Sequence, residues 1–473
     1  MDEMKEIAPD DLVKTSTKLS YGLTSLGTQF VDGVFKVSLL FYYREQLLLS
    51  EGYIILAFML FAIWNAVNDP LFGWLSDKTK TRWGRRIPYL AIFTPVMSIS
   101  FVLLWTSPSI EVIGELGVFI WLLVTMCLYD TAFTAALLVW SALGQELSMD
   151  HRVRASIQIY SLGFGVSGFL VALLLPMLFL ETAGREGFIF LSIILAIVQF
   201  ATMMITTVNV KERLEFSHDE PLGIIDSFKH TLKSKAFITT ALMNFILIYT
   251  QSTFFGNLFF FTSYAIPGYD SFLLLMGVVI MSLAGIFVGT AYIVRINAKK
   301  GVKTAMMRSV FSQAIGFLLT GILPGIFSLI GFFFVGIGLY GAMTLFNAAY
   351  GEVADEDELK TGTRREAAIM GINALITKPA ESVANALIAF FLFLFLYQEP
   401  IGGIQQSQSE LTILGIRIAM GILPGLSLLL ALLIFHFYPL HGQYLKEIKT
   451  KMYQVHEEKR EKYLAKISKK PKD

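Results

Sequence analysis

This chain has little charge, cysteine or histidine. Only 16% of its 473 residues are charged and the net charge is +1, while 55% are hydrophobic and the mean hydropathy is +0.61. That balance excludes a soluble globular domain and leaves a polytopic membrane protein. With no basic excess or stripe, no nucleic-acid partner is expected. The single cysteine, Cys127, lies in an apolar run, so it excludes an internal disulfide and reads as a small buried hydrophobe. The six histidines, His151, His218, His230, His436, His441 and His456, all fall in loops, at helix ends or in the tail. They offer no metal cluster within the membrane, which argues against an enzyme, and no resident cofactor or metal is expected. No nucleotide-binding loop occurs, which argues against an ATP-driven pump. The opening Met-Asp-Glu-Met-Lys-Glu is polar and acidic, so no signal peptide is expected.

Long apolar runs make up most of the chain. Segments of roughly 20 apolar residues read as membrane helices, and they fall near 19–43, 54–75, 87–105, 116–143, 157–180 and 188–208. A polar connection over 209–235 precedes six more, near 237–264, 272–296, 305–323, 326–350, 367–396 and 411–437. The expectation is an all-α membrane protein of twelve helices, with a first bundle over 1–208, a linker over 209–235, a second bundle over 236–438 and a tail over 439–473.

Basic residues then set the orientation. Lys78, Lys80, Arg82, Arg85 and Arg86 follow the second helix, Arg152 and Arg154 the fourth, Arg295, Lys299, Lys300 and Lys303 the eighth, and Lys360, Arg364 and Arg365 the tenth. All lie on one side with the lysine-rich tail, and the other side offers little beyond Arg44, Arg185 and Arg417. Both termini are therefore expected in the cytoplasm, with the chain in the cell membrane. The loop from Gly73 to Arg86 has a weaker echo in Val294 to Lys303, and Gly144 to Arg154 has one in Gly351 to Arg365. Parallel six-helix repeats point to a transporter with a central site.

Polar residues inside the spans carry the functional signal, because ionisable groups there are costly and usually face a cavity or an ion path. Asp69 stands out in Asn65-Ala-Val-Asn68-Asp69-Pro70, since no basic residue lies one helical turn away. It needs an ion, a proton or a partner from another helix. Gln29, Asp32 and Lys36 share one face of the first helix by their three-then-four spacing, as do Lys378, Glu381 and Asn385 on the eleventh, and the fourth adds Asp130 and Thr134. Two readings stay open: structural pairs such as Asp32 with Lys36 and Lys378 with Glu381, or an interior lined for a solute. Tyr129, Tyr160, Tyr340 and Asn347 fit either a polar cavity or plain interhelical contacts.

The string from Asn68 to Pro88, containing Asp77-Lys-Thr-Lys-Thr-Arg-Trp-Gly-Arg85-Arg86, resembles the signature of the glycoside-pentoside-hexuronide:cation symporters of the major facilitator superfamily. Asp355-Glu-Asp-Glu358 through Arg364-Arg365-Glu366 resembles that family's second signature, and Lys18 to Gly22 and Tyr438 to Gly442 extend the likeness along the chain. The resemblance implies a major facilitator fold of two pseudo-symmetric six-helix bundles. It also implies alternating access and symport of a sugar-like solute with sodium or protons, or of a lysophospholipid as in one animal branch; a non-transporting sensor is the poorer alternative. The partners implied are a small-molecule solute and membrane lipid, with the chain a monomer.

The resemblance also implies roles. Its cation site uses two carboxylates one turn apart on the second helix, an intervening asparagine and a fourth-helix residue. Asp69 and Asn68 match, but Asn65 replaces the first carboxylate, so Asp130 or Asp32 supplies the missing charge, or Lys378 takes the ion's electrostatic place, or the ion is a proton carried on Asp69. Lys378 matches the lysine that links cation and solute sites. Gln29 stands where the family has a sugar-holding aspartate, and Ser161 near an expected arginine. Candidate solute contacts are Gln29, Asp32, Lys36, Asp130, Tyr129, Lys378, Glu381, Tyr340 and Asn347. Asp77, Arg85, Arg86, Asp355, Glu358, Arg364 and Arg365 read as a cytoplasmic gate between the halves, or as plain topology signals. The run over 219–230 suits a short amphipathic helix on the inner membrane surface, and the tail 444–470 a solvated helix touching anionic lipid.

Overall fold

The computed structural model describes residues 13–79, 81, 86–147, 151–210, 231–362, 366–401, 406–452 and 454. The central linker with its amphipathic run over 219–230 lies outside the described residues. Helices dominate because backbone polar groups in lipid must be satisfied within the segment. They are α1 (Thr15–Glu45), α2 (Glu51–Lys78), α3 (Ile87–Trp105), α4 (Ile110–Glu146), α5 (His151–Asn209), α6 (Lys235–Tyr264), α7 (Ser271–Ile322), α8 (Leu329–Thr361), α9 (Glu366–Thr377), α10 (Pro379–Leu394), α11 (Glu410–Arg417) and α12 (Leu423–His436).

Each expected span has its counterpart. α5 holds two spans joined at Gly184, and α7 two joined at Gly301, where φ is 58° and 80°. Only glycine takes such angles without a Cβ penalty, so these residues mark the reversals. The eleventh span is α9 and α10, interrupted at Lys378 because Pro379 has no N–H to donate. The twelfth is α11 and α12, joined by a π-helical turn over Ile418–Ile422. Val112, Val208 and Phe287 are more than 70% exposed, which for apolar side chains on membrane-length helices is the lipid face.

The chain forms two compact units. The first comprises 1–221, 251–277 and 378–420, and the second 222–250, 278–377 and 421–473. The first unit rests on close packing of α1 against α5: a Cβ on Gly27 would strike Gln199 and Thr202, and one on Gly168 would lie 3.1 Å from the Gln29 Cβ. Small residues let the helices approach where lipid provides no hydrophobic drive. Tyr21 stacks on Trp140 at 4.7 Å, and the two exchange ring-to-carbonyl hydrogen bonds of 3.3 Å that tie α1 to α4.

In the second unit α7 and α8 pack through Gly285, Gly289 and Gly336, each against the neighbouring helix backbone. Lys303 donates to the carbonyls of His436 and Tyr438 at 2.7 Å each, closing the C-terminal end of α12. Residues 442–452 form a further helix lying on the acidic end of α8. Its Ile448 and Met452 are buried, and Tyr444 donates to Glu356 at 2.8 Å. Over that stretch the expected tail helix is present, with one face docked rather than solvated all round.

Candidate functional site

Inside the first unit, α1, α2, α4 and α10 bring the expected polar residues together. Lys36 donates to Asp32 at 2.9 Å along α1 and reaches Glu381 of α10 at 3.5 Å. Of the two pairings left open, Asp32 with Lys36 forms along one helix. Glu381 turns to Lys36, while Lys378 donates to Thr134 of α4 at 3.3 Å. Asn385 donates to the Glu381 carbonyl at 3.0 Å, holding α10 in register across this turn.

Beside the ion pairs lies a second polar cluster. Asn68 of α2 donates through Nδ2 to Asp130 of α4 at 2.7 Å. Asn65 and Asn68 are 2% and 1% exposed, and among the described residues neither side-chain oxygen has a hydrogen-bond partner. The buried hydroxyl of Tyr129 is unpartnered in the same sense. A buried polar atom without a partner costs about 1–3 kcal/mol, so these three, on one turn of α2 and next to Asp130 in α4, mark groups that an occupant would satisfy. The backbone of Asp69 lies in α2 one residue on, and its side chain is outside the described set.

Aromatic rings border these charges. Phe35 stacks on Tyr129 at 5.1 Å and packs near Phe61 at 6.4 Å. Phe35 and Phe61, with Lys36, Leu39, Phe58, Ser252 and Glu381, line a crevice with room for about one water, too narrow in this conformation for a hexose. Gln29 lies over Gly165 and Gly168 of α5, and Ser161 is buried on α5.

The remaining candidates are less fully described. Tyr340 and Asn347 lie on α8 of the second unit and Asp77 near the end of α2, with side chains outside the described residues; Arg85, Arg364 and Arg365 lie outside them altogether. Arg86 caps the start of α3 in the first unit, and Asp355 and Glu358 sit on α8 in the second, Glu358 buried.

Sequence reasoning gave no role to a third cluster, at the α1–α2 turn. Arg44 donates to Glu51 at 2.6 and 3.0 Å and to Glu399 at 2.8 Å, with its guanidinium 5.2 Å from the centre of the Tyr397 ring. Next to it, Glu45 accepts from Tyr264 at 2.7 Å, and Tyr397 donates to Tyr264 at 3.0 Å. Burial pushes the Glu45 carboxyl up to about 7, against the opposing pull of the Tyr264 bond and of Arg44. The available signal was an Arg-Glu pair at a helix end on the side with few charges, but its partners are remote in sequence.

Comparison with known proteins follows the same lines. The family model described as MFS/sugar transport protein matches residues 20–442. The chain is 24% identical to "Uncharacterized symporter YjmB" of Bacillus subtilis, over 92% of this chain and 95% of that protein. It is 20% identical to the isoprimeverose transporter of Lactiplantibacillus pentosus, over 81% of each, and 24% identical to the sodium-dependent lysophosphatidylcholine symporter 1 of Gallus gallus, over 84% of this chain and 81% of that protein. Its match to an uncharacterized symporter of Synechocystis spans only 38% of that protein. Among solved structures, that of the nucleoside transporter NupG aligns with a TM-score of 0.64 at 18% identity, over 89% of this chain and all of that one, a likeness of fold.

Proposed function

Because the chain belongs to the MFS/sugar transport protein family, we propose that it is a cation-coupled symporter that carries a sugar-like solute across the cell membrane by alternating access. The carrying observation is the juxtaposition of an ion-paired lysine with a cluster of buried, unpartnered oxygens on α1, α2, α4 and α10. Lys36, Asp32 and Glu381 supply donors and acceptors for hydroxyl or carboxylate groups of a solute, and Phe35 and Phe61 supply flat apolar faces for a pyranose ring. Gln29, Lys378, Tyr129, Tyr340 and Asn347 remain candidate contacts of that solute.

The coupling ion is cargo on this reading. Asp69, Asp130 and the oxygens of Asn65 and Asn68 would form its ligand set. An amide oxygen lends a lone pair to a hard cation and holds no proton at neutral pH, which favours sodium over the proton. Asp32 is committed to Lys36 by the 2.9 Å contact and is the poorer ion ligand. The side of the basic loops faces the cytoplasm, by the excess of lysine and arginine there. Asp77, Arg85, Arg86, Asp355, Glu358, Arg364 and Arg365 are proposed to gate that side. The proposal includes no catalytic step and no resident cofactor.

The test is uptake into proteoliposomes across a panel of glycosides, uronides and lysolipids, with sodium and proton gradients imposed separately. Accumulation of a glycoside or uronide driven by sodium supports the reading in full. Accumulation of lysolipids alone replaces the solute class, and loss of gradient dependence removes the coupling.

A further inference from the structure

The cluster at the α1–α2 turn lies apart from the charges that hold solute and ion, and none of the roles above uses it. Three carboxylates, from Glu45, Glu51 and Glu399, surround one guanidinium, and two of them take its hydrogen bonds. Arg44 gives Nε and one terminal nitrogen to Glu51 and the other terminal nitrogen to Glu399. Glu45 receives none of these. It is 4% exposed, one of its oxygens accepts from Tyr264, and the other has no hydrogen-bond partner among the described residues. A buried carboxylate with one neutral donor and no cation of its own is costly, whereas a protonated carboxyl needs no counter-charge.

The cluster also joins segments that are distant along the chain. Arg44 and Glu45 end α1 and Glu51 starts α2, while Tyr264 ends α6 and Tyr397 and Glu399 follow α10. All belong to the first unit, and all lie at the ends of helices on the side opposite the basic loops. On the alternating-access reading, these segments must separate for a solute to pass on that side.

We infer that Glu45 is a proton-binding site: it is protonated while the Arg44–Glu51–Glu399 and Tyr264–Tyr397 contacts hold this end shut, and it loses its proton when they part. The site is distinct from the coupling-ion ligands on α2 and α4, and it makes closure of this end depend on the pH of the compartment it faces. The groups facing Glu45 are Arg44 on its own helix, Tyr264 of α6, and Glu399 after α10. Arg44 and Tyr264 favour the carboxylate and Glu399 disfavours it, and desolvation exceeds them all. Burial holds the carboxyl at about 7, and once exposed it returns to its ordinary value of 4.5. Between these limits the closed form binds the proton more tightly, so closure weakens as pH rises, by about tenfold in its equilibrium constant per pH unit. Above the upper limit it no longer changes.

The test measures the distance between spin labels on Leu48→Cys, between Glu45 and Glu51 in the chain, and Ile401→Cys, two residues after Glu399, both exposed, in the full chain carrying Cys127→Ala. Measurements run from pH 5 to 8.5 without solute and without gradients. The short-distance population is expected to fall as pH rises to about 7 and then to level off. Glu45→Gln should keep it high at every pH. Tyr264→Phe, which removes the hydroxyl that donates to the carboxyl, should extend the fall to higher pH. A pH response unchanged by Glu45→Gln overturns the inference, as does a flat profile in the parent, and the Tyr264→Phe shift decides the matter if Glu45→Gln does not fold. Since no solute or gradient is present, a wrong coupling assignment leaves this readout intact, and a failed readout leaves sodium-driven uptake to be judged separately.

Discussion

The ammonium of Lys36 lies 2.9 Å from Asp32 on its own helix and 3.5 Å from Glu381 on α10, so one side chain bridges the first helix of the chain and the eleventh span. The three side chains are between 16% and 32% exposed, so they are neither fully solvated nor sealed. Replacing Lys36 with Gln leaves Asp32 and Glu381 without the cation that bridges them. It is expected to abolish gradient-driven uptake while the protein still folds. The double change Lys36→Gln with Asp32→Asn should recover folding stability, and a double-mutant cycle on thermal unfolding measures the coupling, expected at about 1–3 kcal/mol for a pair of this exposure.

The oxygens of Asn65 and Asn68 are buried and unpartnered among the described residues, and Asp130 accepts from Asn68. Asn65→Asp adds a carboxylate one helical turn from Asp69. The half-saturating sodium concentration for uptake should fall, by about tenfold, because ligand charge offsets the cost of dehydrating the ion. Asn68→Ala should raise it by a similar factor. If both variants keep the parental sodium dependence, these oxygens do not hold the ion.

The spans were legible because apolar run length is a local property, and each expected helix is matched. The reversals at Gly184 and Gly301 fall in the gaps between runs that the sequence already shows. Within the site, the three-and-four spacing placed Asp32 with Lys36 correctly. It did not separate Glu381 from Lys378, because the choice of partner depends on which helix lies opposite, here α1 for Glu381 and α4 for Lys378. The Glu45 cluster was hidden for the same reason. Its tyrosine partner, Tyr264, is 219 residues away, and no pattern along one helix reports such a contact.

Glu352 on α8 accepts from Tyr438 at 3.0 Å, and Lys449 of the 442–452 helix lies 3.9 Å away. Burial pushes its carboxyl up to about 7, with Tyr438 and Lys449 pulling down and Asp355 adding to the rise. A raised value in the folded state means that the neutral form is favoured there. Its stabilising share is complete below the unfolded value near 4.5 and is lost as pH rises through about 7. Thermal stability in detergent should therefore decline across that window by up to about 1.4 kcal/mol per pH unit. Glu352→Gln should flatten the profile, and a slope equal to the parent's would assign the decline to another group.

Gly27 is the sharpest packing test of the first unit, since an ideal Cβ there would lie 2.6 Å from the Gln199 Cα and would strike the Thr202 hydroxyl. The first obstacle is backbone, which cannot rotate aside, so α1 and α5 would have to move apart. That movement would break the Thr24 to Thr206 hydroxyl contact of 2.6 Å, three residues from Gly27 on α1. It would also reposition the helix that carries Asp32 and Lys36. Gly27→Leu is thus expected to lower the yield of monodisperse protein several-fold, whereas Gly163→Leu, with open space around its Cβ, should leave it unchanged. Equal yields for the two variants would show that α1 and α5 do not approach as closely as the structure places them.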